Sequence, residues 1–114
     1  MTLLEFLEQT PEGDEITVWD NTFDLETYFY NNTASTDPWD IAMMDLASKL
    51  NIISIRDYGV IVDLYELIEN NIDRLQKADL FIVTDVDSIM EDMDSILAGN
   101  VSEDWFVKFV NCLI

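Results

Sequence analysis

The sequence predicts an α+β fold: a single small domain over residues 1–114, in the order αββαββααα, with two β-hairpins packed with helices. Three observations lead to it. Apolar residues alternate with a period of two near residues 15–30 and 53–62, and recur at helical spacing elsewhere. Cap residues stand in front of the helical stretches. With 114 residues, 49% of them hydrophobic, the chain can bury one core but not two.

The elements follow in order. Thr2, with Glu5 three residues on, reads as a capping box opening a short helix that runs to about Glu8 and stops before a turn at Pro11–Asp14. Ile16 and Val18, then Phe23, Leu25 and Phe29, alternate as strands around a turn at Asp20–Thr22. A polar connector follows. Asp37 then suits a cap, Pro38 the first helical position and Asp40 the positive end of the helix dipole. Trp39, Ala42, Met43, Leu46, Ala47 and Leu50 share one face of that helix. Ile53 and Ile55, a turn at Asp57–Gly59, and Val60 and Val62 make the second hairpin. From Leu64 to about Ala78 the spacing predicts one helix, with Leu64, Leu67, Ile68, Ile72 and Leu75 inward. Another is expected from Asp85 to Ala98, closed by Gly99 in a left-handed conformation. Ser102 caps the last helix, with Val101 placed to staple onto Phe106. Trp105, Phe106, Phe109, Val110, Cys112 and Leu113 form its inner face.

Charge is the dominant compositional signal. Twenty-four acidic residues face five basic ones, with no histidine, for a formal charge of −19. Disorder requires high net charge together with low hydrophobicity, and only the first holds here. The chain therefore folds and carries its charge outside, repelling nucleic acid and membranes and attracting basic partners. Placed on the expected helices, Glu66, Glu69 and Asp73 form one stripe opposite the apolar face, and Asp87, Glu91 and Asp94 form another. Asp85 and Asp92 line the other flank of the second helix. Like charges at these spacings repel by a few tenths of a kcal/mol per pair. Either stripe alone reads equally as an ordinary solvated helix face; lysine, which would relieve the repulsion, is scarce along the whole chain. Tyr28 and Tyr30 fall on the strand face opposite Leu25 and Phe29, beside Asp24 and Glu26. An aromatic patch rimmed with acid suits an anchor against a basic groove. A helix laid over that face would make it core instead.

Other chemistries find little support. Residues 85–96 are dense in carboxylates but hold Ile89, Met90 and Ile96 where a calcium loop needs an oxygen ligand, a glycine and a glutamate. Without histidine, Ser-His and Cys-His arrangements are impossible, and close carboxylate pairs arise by chance among so many acids. No glycine-rich phosphate loop is present, and Cys112 reads as a small hydrophobe. No catalysis, cofactor or metal is expected. The lone cysteine suits a reducing cytosol, and the N-terminal stretch does not read as a signal peptide, so a cytoplasmic location is expected and the sequons at Asn31 and Asn100 carry no weight. Direct nucleic-acid binding is disfavoured, because Lys49, Arg56, Arg74, Lys77 and Lys108 are scattered.

In size, charge and lack of motifs the chain resembles the small acidic proteins that phages and mobile elements use against bacterial defence, including anti-CRISPR proteins and anti-restriction DNA mimics. That resemblance is one of class and covers the whole chain without a family motif. It implies an inhibitor that occupies the nucleic-acid-binding site of a basic partner, first among them a CRISPR effector nuclease, then a restriction enzyme or a DNA-binding regulator. A duplex as long as this chain is wide, roughly 34 Å, carries about 20 phosphate charges, so the totals are comparable. Two other readings stand beside it. One is a non-inhibitory acidic module, such as an adaptor or a chaperone for a basic partner. The other is a housekeeping domain of a high-salt cytoplasm. The contact residues expected are Glu66, Glu69, Asp73, Asp87, Glu91 and Asp94, with Asp24, Glu26, Tyr28 and Tyr30 as the alternative patch.

Overall fold

The computed structural model describes residues 1–114 and contains six helices and four strands. The elements are α1 (Leu3–Glu8), β1 (Glu15–Asp20), β2 (Glu26–Tyr30), α2 (Pro38–Ala47), β3 (Ile52–Arg56), β4 (Gly59–Val62), α3 (Leu64–Asn70), α4 (Ile72–Ala78), α5 (Val86–Leu97) and α6 (Glu103–Asn111). The α+β class is as expected. The order differs by one helix, because the stretch expected as one helix over 64–78 is two.

The break lies at Asn71 and has a local cause. Its side-chain amide donates to the Leu67 carbonyl at 2.8 Å, the acceptor its own backbone N–H would take in a continuous helix. The backbone N–H turns to Ile68 O instead, at 3.1 Å, and the residue sits at φ −117°, ψ 17°. This is side-chain competition with the helical ladder. Glu66 and Glu69 therefore lie on α3 while Asp73 lies in the first turn of α4, and the three do not share one helical axis.

Both hairpins enter a single sheet in the order β2-β1-β4-β3. The hairpins themselves are antiparallel, while β1 and β4 pair in parallel, Thr17 opposite Gly59 and Asp20 opposite Val62. Gly59 is required at that seam: a Cβ there would lie 1.8 Å from the Thr17 carbonyl oxygen. Ile16, Val18, Thr27, Phe29, Val60 and Val62 are buried on one face of the sheet. All of these but Thr27 join a single cluster of 26 buried apolar residues to which every helix contributes. Trp39 of α2 stacks on Phe106 of α6 with ring centroids 4.0 Å apart.

Caps define most of the helix starts. Thr2 and Glu5 form the reciprocal box, at 3.0 and 3.2 Å. Asp37, Asp85 and Ser102 accept from the backbone N–H of Trp39, Ser88 and Trp105. Asp63, which precedes α3, makes no side-chain cap. Asp20 takes over from the end of β1: one carboxylate oxygen accepts from Tyr65 N at 2.8 Å, and the other from Thr22 N and Phe23 N at 2.8 and 2.7 Å. Buried Asn31 is likewise a structural amide, donating to Thr10 O at 2.7 Å and accepting from Thr33. Gly99 adopts the expected positive φ, 94°.

Two stability predictions follow from this architecture. Gly59→Ala forces β1 and β4 apart and costs at least about 3 kcal/mol, beyond the usual range for a single substitution; urea unfolding of the variant against wild type measures it. Ser102→Ala removes the α6 cap and lowers stability by about 1 kcal/mol in the same assay.

Candidate functional site

Each of the acidic and aromatic residues singled out in the sequence is exposed: Glu66, Glu69, Asp73, Asp87, Glu91, Asp94, Asp24, Glu26, Tyr28 and Tyr30. The open question about the tyrosines resolves in favour of exposure. Tyr28 and Tyr30 retain 46% and 41% of their surface, while Phe29 between them is buried. In the register of the sheet Tyr30 lies opposite Glu15, Tyr28 opposite Thr17 and Glu26 opposite Trp19.

The packing of α5 brings together residues that the sequence left in separate patches. At its C-terminal end Asp94, with Leu97 and Ala98, lines a shallow hollow with Glu26, Tyr28 and Tyr30. At its N-terminal end Asp87 accepts a hydrogen bond from the Tyr65 hydroxyl of α3, at 2.8 Å. Glu69 and Asp85 lie close enough for their charges to act on Tyr65 as well. Glu91 projects between the two ends, and the axial rise from Asp87 to Asp94 is about 10 Å. One acidic belt thus runs from α3 along α5 to the edge of β2. Glu66 and Asp73 stand on α3 and α4, on axes separated by the Asn71 break. Asp24 sits in the β1–β2 turn, lining a different hollow with Trp19, Asp20 and Arg56. It lies six residues, about 20 Å of strand, from Tyr30.

Neutral donors hold several carboxylates of the chain, Asp85 and Asp87 of the belt among them. The Tyr30 hydroxyl donates to Glu15 at 2.7 Å, the Ser88 hydroxyl to Asp85 at 2.9 Å, and Ser35 and Asn32 to Asp40 at 2.8 and 3.3 Å. The carboxylate acceptors raise both phenols, Tyr30 chiefly through Glu15 and Tyr65 chiefly through Asp87, so both stay protonated donors at neutral pH. Backbone and hydroxyl donation from Ser88 lowers Asp85, and the Thr2 box lowers Glu5. These bonds fix carboxylate geometry without removing charge.

The cations serve the scaffold. Arg56 lies over the Trp19 ring at 5.0 Å. Arg74 donates to the carbonyls of Asn111 and Ile114, at 2.8 and 2.9 Å. Lys77 and Lys108 stand in the last turns of α4 and α6, at the negative ends of the helix dipoles. Burial raises the Cys112 thiol, with Arg74 pulling the other way, so the sulfur is held away from its nucleophilic form. No group of three or more Asp, Glu or Cys side chains converges in a geometry that could hold a metal ion.

Sequence reasoning passes over two features of this region. Tyr65 has a core-like spacing on its helix, and its bond to Asp87 depends on how α3 meets α5. The run Leu80-Phe81-Ile82-Val83 has no period to classify it; its only signal is four apolar residues in succession between Asp79 and Thr84.

Carboxylate crowding gives a pH prediction. Glu103, at the start of α6, is raised above 4.5 by desolvation and then by Asp37 and Asp104, an effect that outweighs the favourable dipole of its helix. The folded state binds this proton more tightly than the unfolded chain, so stability rises as pH falls through the folded value and levels off below 4.5. Glu103→Gln raises Tm at pH 7, and its advantage disappears at pH 4, as thermal melts at the two pH values will show.

No protein-family model, curated protein or solved structure matches this chain.

Proposed function

We propose that this protein is an acidic inhibitor that occupies the nucleic-acid-binding site of a basic bacterial defence protein, foremost a CRISPR effector nuclease. The observation that carries this reading is the belt on α3, α5 and β2, whose carboxylates are solvent-exposed, with Asp85 and Asp87 held by the uncharged hydroxyls of Ser88 and Tyr65. Anions held in place but not neutralised suit the Lys and Arg side chains that ordinarily hold phosphates. The molecule measures 37 Å along its longest axis, over which duplex DNA carries about 22 phosphate charges; the net charge of −19 is of that order. Association of this kind is electrostatically steered, fast at low salt and weakened as salt rises. Binding competes with nucleic acid, and the protein performs no chemistry on its target.

The test is displacement. Purified CRISPR effector nucleases and restriction enzymes are loaded with fluorescent DNA and titrated with the protein at 50 and 200 mM salt. Release of DNA by the wild type, with at least tenfold loss in the triple variant E26K/E91K/D94K and a much smaller loss in E8K/E12K/D45K, at exposed acids outside the belt, is the expected outcome. Equal losses in the two variants, which change net charge identically, would mean that charge acts diffusely and the belt has no special role. A partner that binds the protein while keeping its DNA would make it an adaptor or chaperone rather than a competitor.

A further inference from the structure

The segment joining α4 to α5 places two adjacent exposed apolar side chains beside an anchored aromatic ring. Asp79 ends α4 in the left-handed conformation, φ 54°, and turns the chain into Leu80-Phe81-Ile82-Val83. Phe81 is pinned edge-on to Trp105 and Phe109, with centroids 5.2 and 5.8 Å apart, and the Trp105 indole donates to Leu80 O at 3.3 Å. With its base anchored in this way, the loop presents Ile82 fully to solvent and leaves Val83 56% exposed. Adjacent exposed Ile82 and Val83, above the half-buried Leu80 and Phe81, make a small apolar patch that gains by being covered.

Between this loop and α5 lies a groove of about 550 Å³. Ile82, Val83, Ile96 and Trp105 supply apolar surface, while Glu91 and Asp92 supply charge from the α5 side. The α5 wall from Ser88 to Ile96 is about 12 Å long, two helical turns. An apolar floor with an anionic wall, on a molecule of charge −19, selects against a second copy of this chain and against an uncharged or acidic peptide.

We infer that the groove takes a cationic amphipathic segment of a partner protein, whose apolar side chains, one turn apart, seat on Ile82, Val83 and Trp105 while its Lys or Arg residues meet Glu91 and Asp92. Small apolar pockets ringed by polar groups are where interface energy concentrates, and rigid aromatic walls lower the ordering cost of binding. The inference rests on the reading of this protein as a binder of basic proteins, and adds to it an anchor that nucleic acid cannot imitate. Displacement by the belt is general to cationic grooves; the loop groove selects among them.

The probe is a 14-residue helix-forming peptide carrying Leu and Lys on opposite faces, compared with one in which Ser replaces every Leu and one in which Gln replaces every Lys. At 150 mM salt the Leu–Lys peptide binds at least tenfold more tightly than the Ser–Lys peptide by calorimetry. In 1H–15N spectra it shifts the Trp105 indole and the amides of residues 80–83. The exposed double substitution I82S/V83S reduces that tenfold preference to less than about twofold, and E91Q/D92Q leaves the preference while flattening its salt dependence. Equal binding of the Leu–Lys and Ser–Lys peptides, with shifts at Asp94 and Tyr28 instead, would overturn the groove inference and leave the acidic-inhibitor reading intact. Equal binding of the Leu–Gln peptide would overturn the cationic occupant. Shifts at residues 80–83 that depend on protein concentration without peptide would assign the groove to a second copy. Failure of DNA displacement with peptide binding retained would sink the inhibitor reading alone.

Discussion

Two hairpins separated by a helix become one sheet only where β1 and β4 run side by side. That parallel seam requires the backbone at Gly59 to come against the Thr17 carbonyl more closely than any side chain allows. It continues past the strands, with Thr17 N donating to Tyr58 O and Asn21 N to Val62 O. Asp20 closes its end, holding the β1–β2 turn with one oxygen and the start of α3 with the other. The direction of α3, and with it the meeting of Tyr65 and Asp87, is set from this corner. The inner faces of β1, β2 and β4 then present one surface for the helices to cover, while β3 at the sheet edge stays largely exposed. The seam is long-range in sequence, so it forms only after loop closure and is consolidated by the core around it.

Over that scaffold the molecule solves an electrostatic problem without the usual means. A surface with interspersed lysine relaxes its acids by pairing them. Here hydroxyls, side-chain amides and backbone N–H groups do the holding, and the few cations sit at helix ends, against a tryptophan or on terminal carbonyls. Hydrogen bonds from neutral donors are individually modest and directional. They orient carboxylates and leave the outward field nearly whole, which separates the geometry of the charge from its magnitude.

The fold was largely legible in the sequence because its signals are local. The Thr2–Glu5 box, the Asp37-Pro38 start, the Asp85 and Ser102 caps and Gly99 each declare themselves within four residues. Strand alternation put Tyr28 and Tyr30 on the face opposite Phe29, but that no helix covers this face is a tertiary fact. What escaped depends on contacts far apart in the chain or on side-chain competition. Asn71 breaks a helix whose apolar spacing runs on undisturbed. Asp20 looks like a turn residue and serves as a cap 45 residues away. The joining of Asp94 to Glu26 and Tyr28 requires α5 to lie along β2, and no periodicity encodes that. The loop at Leu80–Val83 carries apolar residues without a face, so pattern reasoning had nothing to assign.

The neutral anchors of the carboxylates have a consequence for ionic strength. Added salt screens repulsion among the acids but does little to a phenol or hydroxyl donating across less than 3 Å. The fold is therefore relieved by salt while its anchored geometry persists, and attraction to a cationic surface falls over the same range. Durability and reach respond to the medium in opposite senses. In dilute conditions the molecule's field reaches farthest and its internal tension is greatest; in concentrated salt it is at rest, with its shape kept and its field screened.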